Sequence, residues 1–210
     1  MSEPLNIGVL ASGNGSNLQA IVDRIEAGAI RAQVACVITN NSDAFALERA
    51  KRHGIPAFFL DHRLFASREE YDAALVEKLR EHGVRLVVLA GFMRIITPIL
   101  LNAFPLSIMN IHPALLPAFP GLHAQRQALQ YGVKVSGCTV HFVDEGTDTG
   151  PIIIQAAVPV LDDDTEETLA SRIRHEEHRI YPEAVRLFVE NGLRVVGRRV
   201  IITDMVSTRS

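Results

Sequence analysis

Apolar and polar positions come in alternating blocks along the chain. Leu5–Leu10, Gln33–Thr39, Ala57–Leu60 and Arg85–Ala90 are short, nearly continuous apolar runs. Between them, residues 17–27, 43–53 and 67–82 space their apolar side chains as a helix does. Each of these three stretches stops at a glycine: Gly28, Gly54 and Gly83. Apolar runs without polar alternation suit strands buried on both faces, hence a parallel sheet. Strand and helix alternating at this spacing predict a doubly wound, Rossmann-like α/β architecture.

The second half changes character. "SIMNI" reads as a strand and residues 121–131 as a short helix. "VSGCTVHFV" and "PIIIQAAVPV" are two strands joined by "DEGTDTG", which has no room for a crossover helix. That pair is expected to be antiparallel. A long helix follows, from "DDDTEETL" to "LFVENG". Asp164 with Glu167 three residues on reads as its capping box, and Gly192 lies past its end. Pro182 is expected to kink or split it. "LRVVGRRVII" is expected as a last edge strand. The whole is predicted to be one domain over 1–210 built on one mixed sheet, parallel first and antiparallel later.

Composition adds bounds. The chain has 210 residues, 48% of them hydrophobic, enough for a sizeable core. A net charge of −3 gives no global pull toward nucleic acid or acidic lipid. Cys36 and Cys138 both sit in apolar runs with no CxxC, so buried thiols in a reducing compartment are expected. No signal-like N-terminus and no membrane-length apolar run is found. The expectation is a soluble cytoplasmic protein without nucleic-acid or membrane partners.

Two stretches carry candidate chemistry. "LASGNGSNLQAI" joins the first strand to the first helix. Gly13 and Gly15 let a ligand approach the backbone, and helix N-terminal amides favour a phosphate. A dinucleotide fingerprint wants a small residue where Leu18 stands and an acidic one where Asn40 and Asn41 stand. No GK[ST] of a P-loop is present. The loop therefore suits a single terminal phosphate, with Ser16 and Asn17 adding donors. Read blandly, it is a tight strand-to-helix turn.

The second stretch is "SIMNIHPALLPAFPGLH". Asn110 and His112 are two apart on an extended segment, so they share one face. They sit where a strand gives way to a loop, and Pro113, Pro117 and Pro120 restrict that loop. "DEGTDTGP" offers Asp144, Glu145 and Asp148. A carboxylate beside His112 favours its imidazolium, and imidazolium with an Asn amide suits a carbonyl-derived oxyanion. Taken singly, Asn110 and Asp148 read as loop caps and His112 as a packed ring. His112, His123 and His141 match no compact zinc spacing, so no metal is expected. No GxSxG elbow is present.

In order, "GNGSNLQAI", "SREEYD", "LAGFMRI", "NIHPALLPAFPGLHAQRQAL", "GCTVHFVDEGTDTGPII" and "HEEHRIYPEAVRLF" resemble the phosphoribosylglycinamide formyltransferases. These belong to the folate-dependent formyltransferase superfamily, and the resemblance covers nearly the whole chain. It implies the formyltransferase fold. It implies transfer of a formyl group from 10-formyltetrahydrofolate to the amine of glycinamide ribonucleotide in purine biosynthesis. By resemblance, Asn110, His112 and Asp148 are catalytic. Gly15, Ser16, Asn17, Gly91, Met93, Pro113 and Glu177 match the ribonucleotide side. Arg68, Phe92, Arg94, Ile95, Ile96, Val143 and Asp144 match the folate side. The part up to about residue 105 is then the ribonucleotide side, and the part from about 106 the catalytic and folate side. A cis peptide before Pro117 is also implied. Ala118 and Gln125 depart from the family, where a basic residue and a second histidine are common. The partners implied are small molecules, with 10-formyltetrahydrofolate as cosubstrate and no metal; a monomer or weak homodimer is expected. A 10-formyltetrahydrofolate hydrolase would use the same trio on water. An aminoacyl-tRNA formyltransferase would need a basic RNA-binding extension. A nucleotide sensor would need the loop but not the trio.

Overall fold

A computed structural model describes residues 3–203. Nine strands form one sheet in the order β3-β2-β1-β4-β5-β6-β7-β9-β8. The first five are β1 (Leu5–Ala11), β2 (Ala32–Thr39), β3 (Ala57–Phe59), β4 (Leu86–Leu89) and β5 (Ile108–His112), all parallel. Then β6 (Val135–Phe142) runs antiparallel to β5, and β7 (Ile152–Pro159) antiparallel to β6. The mixed sheet read from the sequence is therefore present.

Side chains on the central strands alternate between two cores. Ile7, Val9, Leu86 and Val88 join one apolar cluster, while Leu10, Val87 and Leu89 join the other. Both faces are buried, which is why these runs show no polar alternation. One face is covered by α1 (Ser16–Glu26), α5 (Ala124–Tyr131) and α6 (Glu166–Val189), whose apolar residues enter the first cluster. The other is covered by α3 (Arg68–Glu81) and α4 (Pro98–Ala103). Helix α2 (Phe45–Arg52) lies beside β2 and β3. Leu18, Ile21, Val22 and Ile25 of α1 lie on one helical face, toward the sheet. Burying each such side chain contributes about 1.5–3 kcal/mol.

Four expectations need correction. Helix α6 runs unbroken through Pro182. The lost hydrogen bond and ring clash cost about 3 kcal/mol, but Ile180, Tyr181, Ala184 and Val185 are all fully buried against the sheet. The capping box is Thr165 with Thr168, each side-chain oxygen accepting from the other's backbone amide at 3.2 and 3.0 Å. Asp164 instead accepts two hydrogen bonds from the Arg172 guanidinium, at 2.7 and 2.9 Å. The tail is a hairpin, β8 (Leu193–Val196) and β9 (Arg199–Ile202), rather than one strand. Only Ile152 and Arg199 pair β7 with β9, in parallel. The helix expected over 121–131 begins at Ala124, because Gly121 and His123 both have positive φ. Helix α4 was not foreseen; its signal is Pro98 at the first turn.

Cys36 and Cys138 are free and buried, as expected. Burial pushes their thiols up, to about 11 and about 12. Among the described residues no helix is long and apolar enough to cross a membrane.

Candidate active site

The chain passes from β1 outward to β3, then returns to β4 on the other side of β1. Loops leaving β1 and β4 therefore diverge, and open α/β sheets bind ligands beyond the strand ends at such a switch point. Here the two loops are tied together. The Ser12 amide donates to Gly91 O at 3.1 Å, and the Met93 amide donates to Ser12 Oγ at 2.8 Å. Ser12 Oγ in turn donates to Asn40 Oδ1 at 2.6 Å.

The glycine loop ends at Gly15, the N-cap of α1, with φ 71° and ψ 29°. A Cβ here would sit 2.8 Å from Ala46 Cβ, so both the left-handed backbone and the close approach require glycine. No side chain caps the helix, which leaves the first-turn amides of Ser16 and Asn17 for a ligand. Asn17 is buried; its Nδ2 donates to Glu177 Oε2 at 3.0 Å, and its Oδ1 is without a partner among the described residues. Burial raises the Glu177 carboxyl above its usual range, against the opposing Asn17 bond and Arg174 charge.

The second part is built on β5 and β6. Register places Asn110 opposite His141 and His112 opposite Thr139. Asp148 comes from the β6–β7 loop, itself in the left-handed region at φ 55°. Its Oδ2 accepts from the Gly121 amide at 2.8 Å and lies 3.3 Å from His112 Nδ1. Its Oδ1 lies 3.5 Å from Asn110 Nδ2 and 3.7 Å from His141 Nε2. The three residues expected to act together are thus brought together. The Leu116–Pro117 peptide in the following loop is cis, as expected.

Hydrogen-bond chemistry fixes where the protons sit. His112 Nε2 is 2.8 Å from Phe119 O. A carbonyl only accepts, so Nε2 carries the hydrogen. Any further proton goes on Nδ1, the nitrogen beside Asp148. His141 Nδ1 likewise must donate to Phe142 O at 2.8 Å. Its Nε2 then presents a lone pair to Asn110 Nδ2 at 3.2 Å. In the sequence His141 stands out only within the histidine set that matches no zinc spacing. The pairing across β5 and β6 makes it the residue that orients Asn110, and no spacing along the chain reports that.

The charge expected on His112 needs correction. Burial holds its pKa below the ordinary histidine value and outweighs Asp148 and the Phe119 carbonyl, which both favour the charged form. His112 is only 4% exposed. Burial also works to raise the Asp148 carboxyl. The nearby His141 ring, the Gly121 amide hydrogen bond and the nearby His112 ring overcome this and set it below the usual range. Burial and the Asp148 carboxylate thus pull on the ring in opposite directions, and burial is the stronger.

The remaining positions divide. Phe92 is buried in the core with Tyr71, whereas Met93 and Ile95 stand 68% and 66% exposed in the loop between β4 and α4. Ile96 and Val143 pack against that core. The Arg94 guanidinium lies 5.4 Å from the Tyr71 ring centroid, and the Thr97 amide donates to the buried Asp72 carboxylate at 2.5 Å. Arg68 opens α3, exposed, one turn before Tyr71 and Asp72. Asp144 is turned into its own loop, accepting from the Gly146 amide and Thr149 Oγ1. Pro113 follows His112 directly, half-buried. Among the described residues no group of three or more His, Cys, Asp or Glu could hold a metal ion.

Residues 5–185 match the formyl transferase family. The chain belongs to that family. It is 45% identical over 191 residues to phosphoribosylglycinamide formyltransferase of Escherichia coli K12, covering 91% of this chain and 90% of that protein. It is 50% identical over 196 residues to the trifunctional purine biosynthetic protein adenosine-3 of Drosophila melanogaster. There it covers 92% of this chain but spans only 14% of the fly protein. The crystal structure of glycinamide ribonucleotide transformylase 1 from Symbiobacterium toebii superposes with a TM-score of 0.96 at 58% identity. That match covers 97% of this chain and 96% of the other.

Proposed function

We propose that this member of the family transfers the formyl group of 10-formyltetrahydrofolate to the amine of 5'-phosphoribosylglycinamide, in purine biosynthesis. The observation that carries the reading is a pair of features at the carboxyl ends of parallel strands one strand apart. An uncapped helix N-terminus after β1 suits one phosphate, and an Asn–His–Asp cluster at the end of β5 suits an acyl oxyanion. Gly15, Ser16 and Asn17 take the phosphate, and Glu177 with Gly91, Met93 and Pro113 lines the rest of the ribonucleotide. Arg68, Phe92, Arg94, Ile95, Ile96, Val143 and Asp144 form the folate side. Phe92 and Asp144 contribute there through the backbone they hold in place.

The chemistry balances without a further reactant. The amine lone pair forms the new C–N bond at the formyl carbon, and the carbonyl π pair moves onto oxygen. Asn110 Nδ2 donates to that oxyanion. Collapse re-forms the carbonyl and breaks the bond to the folate nitrogen. One proton leaves the amine and one reaches the folate nitrogen. His112 accepts a proton at Nδ1, and the Asp148 carboxylate beside it stabilises the imidazolium so formed. The ring is thus charged during turnover.

A hydrolase would use the same trio with water as acceptor, and would have no need of the phosphate loop. The test is tetrahydrofolate release from 10-formyltetrahydrofolate with and without the ribonucleotide. Release should depend on the ribonucleotide; equal release without it would replace this reading by hydrolysis.

A further inference from the structure

We propose that Arg49 of α2 is a positioning residue for the ribonucleotide: it clamps the glycine loop from outside into the shape that receives the phosphate. This rests on the assignment of that loop to the ribonucleotide phosphate.

Four consecutive loop residues each have an external hold. Ser12 is tied to Asn40 and the β4 loop. The other three are held by α2. Gly13 O accepts from the Ala46 amide at 3.1 Å. Gly15 packs on Ala46. Asn14, between them, is gripped among the described residues by Arg49: Nε donates to Asn14 O at 2.9 Å and Nη2 to Asn14 Oδ1 at 3.0 Å. The third guanidinium nitrogen, Nη1, donates to Gln19 Oε1 at 3.2 Å, on the next turn of α1. The Phe45 ring, its centroid 5.0 Å away, backs the guanidinium. All three nitrogens are thus engaged by the loop and the helix it opens.

Two glycines within three residues give the loop many alternative backbone states. A phosphate site made of backbone amides works only while those amides converge. Arg49 spans Asn14 and Gln19, and so couples the loop to the helix whose amides face the anion. Two parallel donors to a backbone carbonyl and a side-chain oxygen are what a planar guanidinium supplies and an ammonium cannot. Its charge also lies beside a cleft of about 330 Å³ next to Ser16, shared with Arg24, Asp23 and His178. A purely electrostatic role is therefore the rival explanation, and the test must separate the two.

The test compares the parent with Arg49→Lys and Arg49→Met. Ribonucleotide and inorganic phosphate binding are measured by calorimetry, and both KM values and kcat by steady state. If the loop is competent only about a tenth of the time without its clamp, ribonucleotide Kd and KM rise about tenfold. That rise is expected in both variants, with folate KM unchanged and kcat at saturation within about threefold of the parent. An unchanged folate KM also reports an intact fold. Hydrogen exchange of the 12–17 amides should quicken in both. If Arg49→Lys binds like the parent and only Arg49→Met is weak, charge is the whole effect and the clamp is overturned. If both variants bind the ribonucleotide as tightly as the parent, the proposal is overturned outright while the loop assignment stands. If the parent itself does not bind the ribonucleotide, the loop assignment and the clamp fall together.

Discussion

The loop at 12–17 and the cluster at Asn110, His112 and Asp148 are built on opposite plans. The loop offers backbone amides, owes its shape to glycines, and is held by side chains outside it. The cluster offers side chains from a β-strand and a loop, is nearly closed to water, and its members hold one another. The difference follows from the tasks proposed for them. A phosphate is already fully charged, so a fixed set of dipoles suffices to bind it. A formyl oxygen gains charge only during the reaction. The groups that meet it must be dry and preorganised, with a proton that can move. The burial that holds the His112 pKa down belongs to that second plan.

The contrast can be broken most sharply at Asp148. Asp148→Asn keeps the shape and removes the charge that stabilises a protonated His112. Turnover should fall about 10²–10⁴-fold, with binding of either substrate little changed. A fall confined to KM would move Asp148 from the chemistry to binding. Next comes Asn110→Ala, expected to cost about 10²–10³-fold in turnover as the loss of one oxyanion donor. Turnover within a few-fold of the parent, in a folded protein, would remove Asn110 from the mechanism.

His141→Leu tests whether the cluster depends on mutual support. Losing the acceptor that orients the Asn110 amide should lower kcat about 10- to 100-fold and leave both KM values alone. An unchanged kcat would show that the β5–β6 pairing fixes Asn110 without help. On the loop side, Ser16→Ala with Asn17→Ala should weaken ribonucleotide binding by a few kcal/mol at most and spare folate binding. Equal loss of both affinities in calorimetry would mean that the two regions are not separate.

The smallest effect is a titration. His112 should titrate below about 6.5 in the ligand-free protein, and lower still in Asp148→Asn. Ring NMR reads both values; a midpoint above 6.5 in the parent would mean a resting imidazolium. Stability carries the same signs. His112 resists protonation in the fold, so its contribution is complete above about pH 6.5 and is lost as pH falls below it. Asp148 is held below its ordinary value. Its contribution is present above about pH 4 and is lost as pH falls through the folded value. Asp148→Asn should flatten this lower window and, by lowering the His112 value further, deepen the loss below about pH 6.5.

The sequence made the fold and the grouping of the site legible to different depths. Parallel strands β1 to β5 announce themselves because burial on both faces leaves no polar alternation. The i, i+2 spacing of Asn110 and His112 put them on one face, and the short "DEGTDTG" connection brought Asp148 back beside them. What stayed hidden depends on contacts remote in sequence. Asn110 meets His141 across 31 residues, Asn17 meets Glu177 across 160, and Arg49 meets Asn14 across 35. The His112 charge was misjudged because a neighbouring carboxylate is visible in a sequence and the depth of burial is not. A split at Pro182 is what its local cost suggests, and that cost is legible; the packing that carries the helix through it is not.

The most direct test of the account follows the formyl carbon itself. 10-Formyltetrahydrofolate labelled at that carbon is turned over with the ribonucleotide present, and the products are separated. Label is expected in the new amide of the ribonucleotide, one for each tetrahydrofolate released. Label recovered as free formate would contradict it.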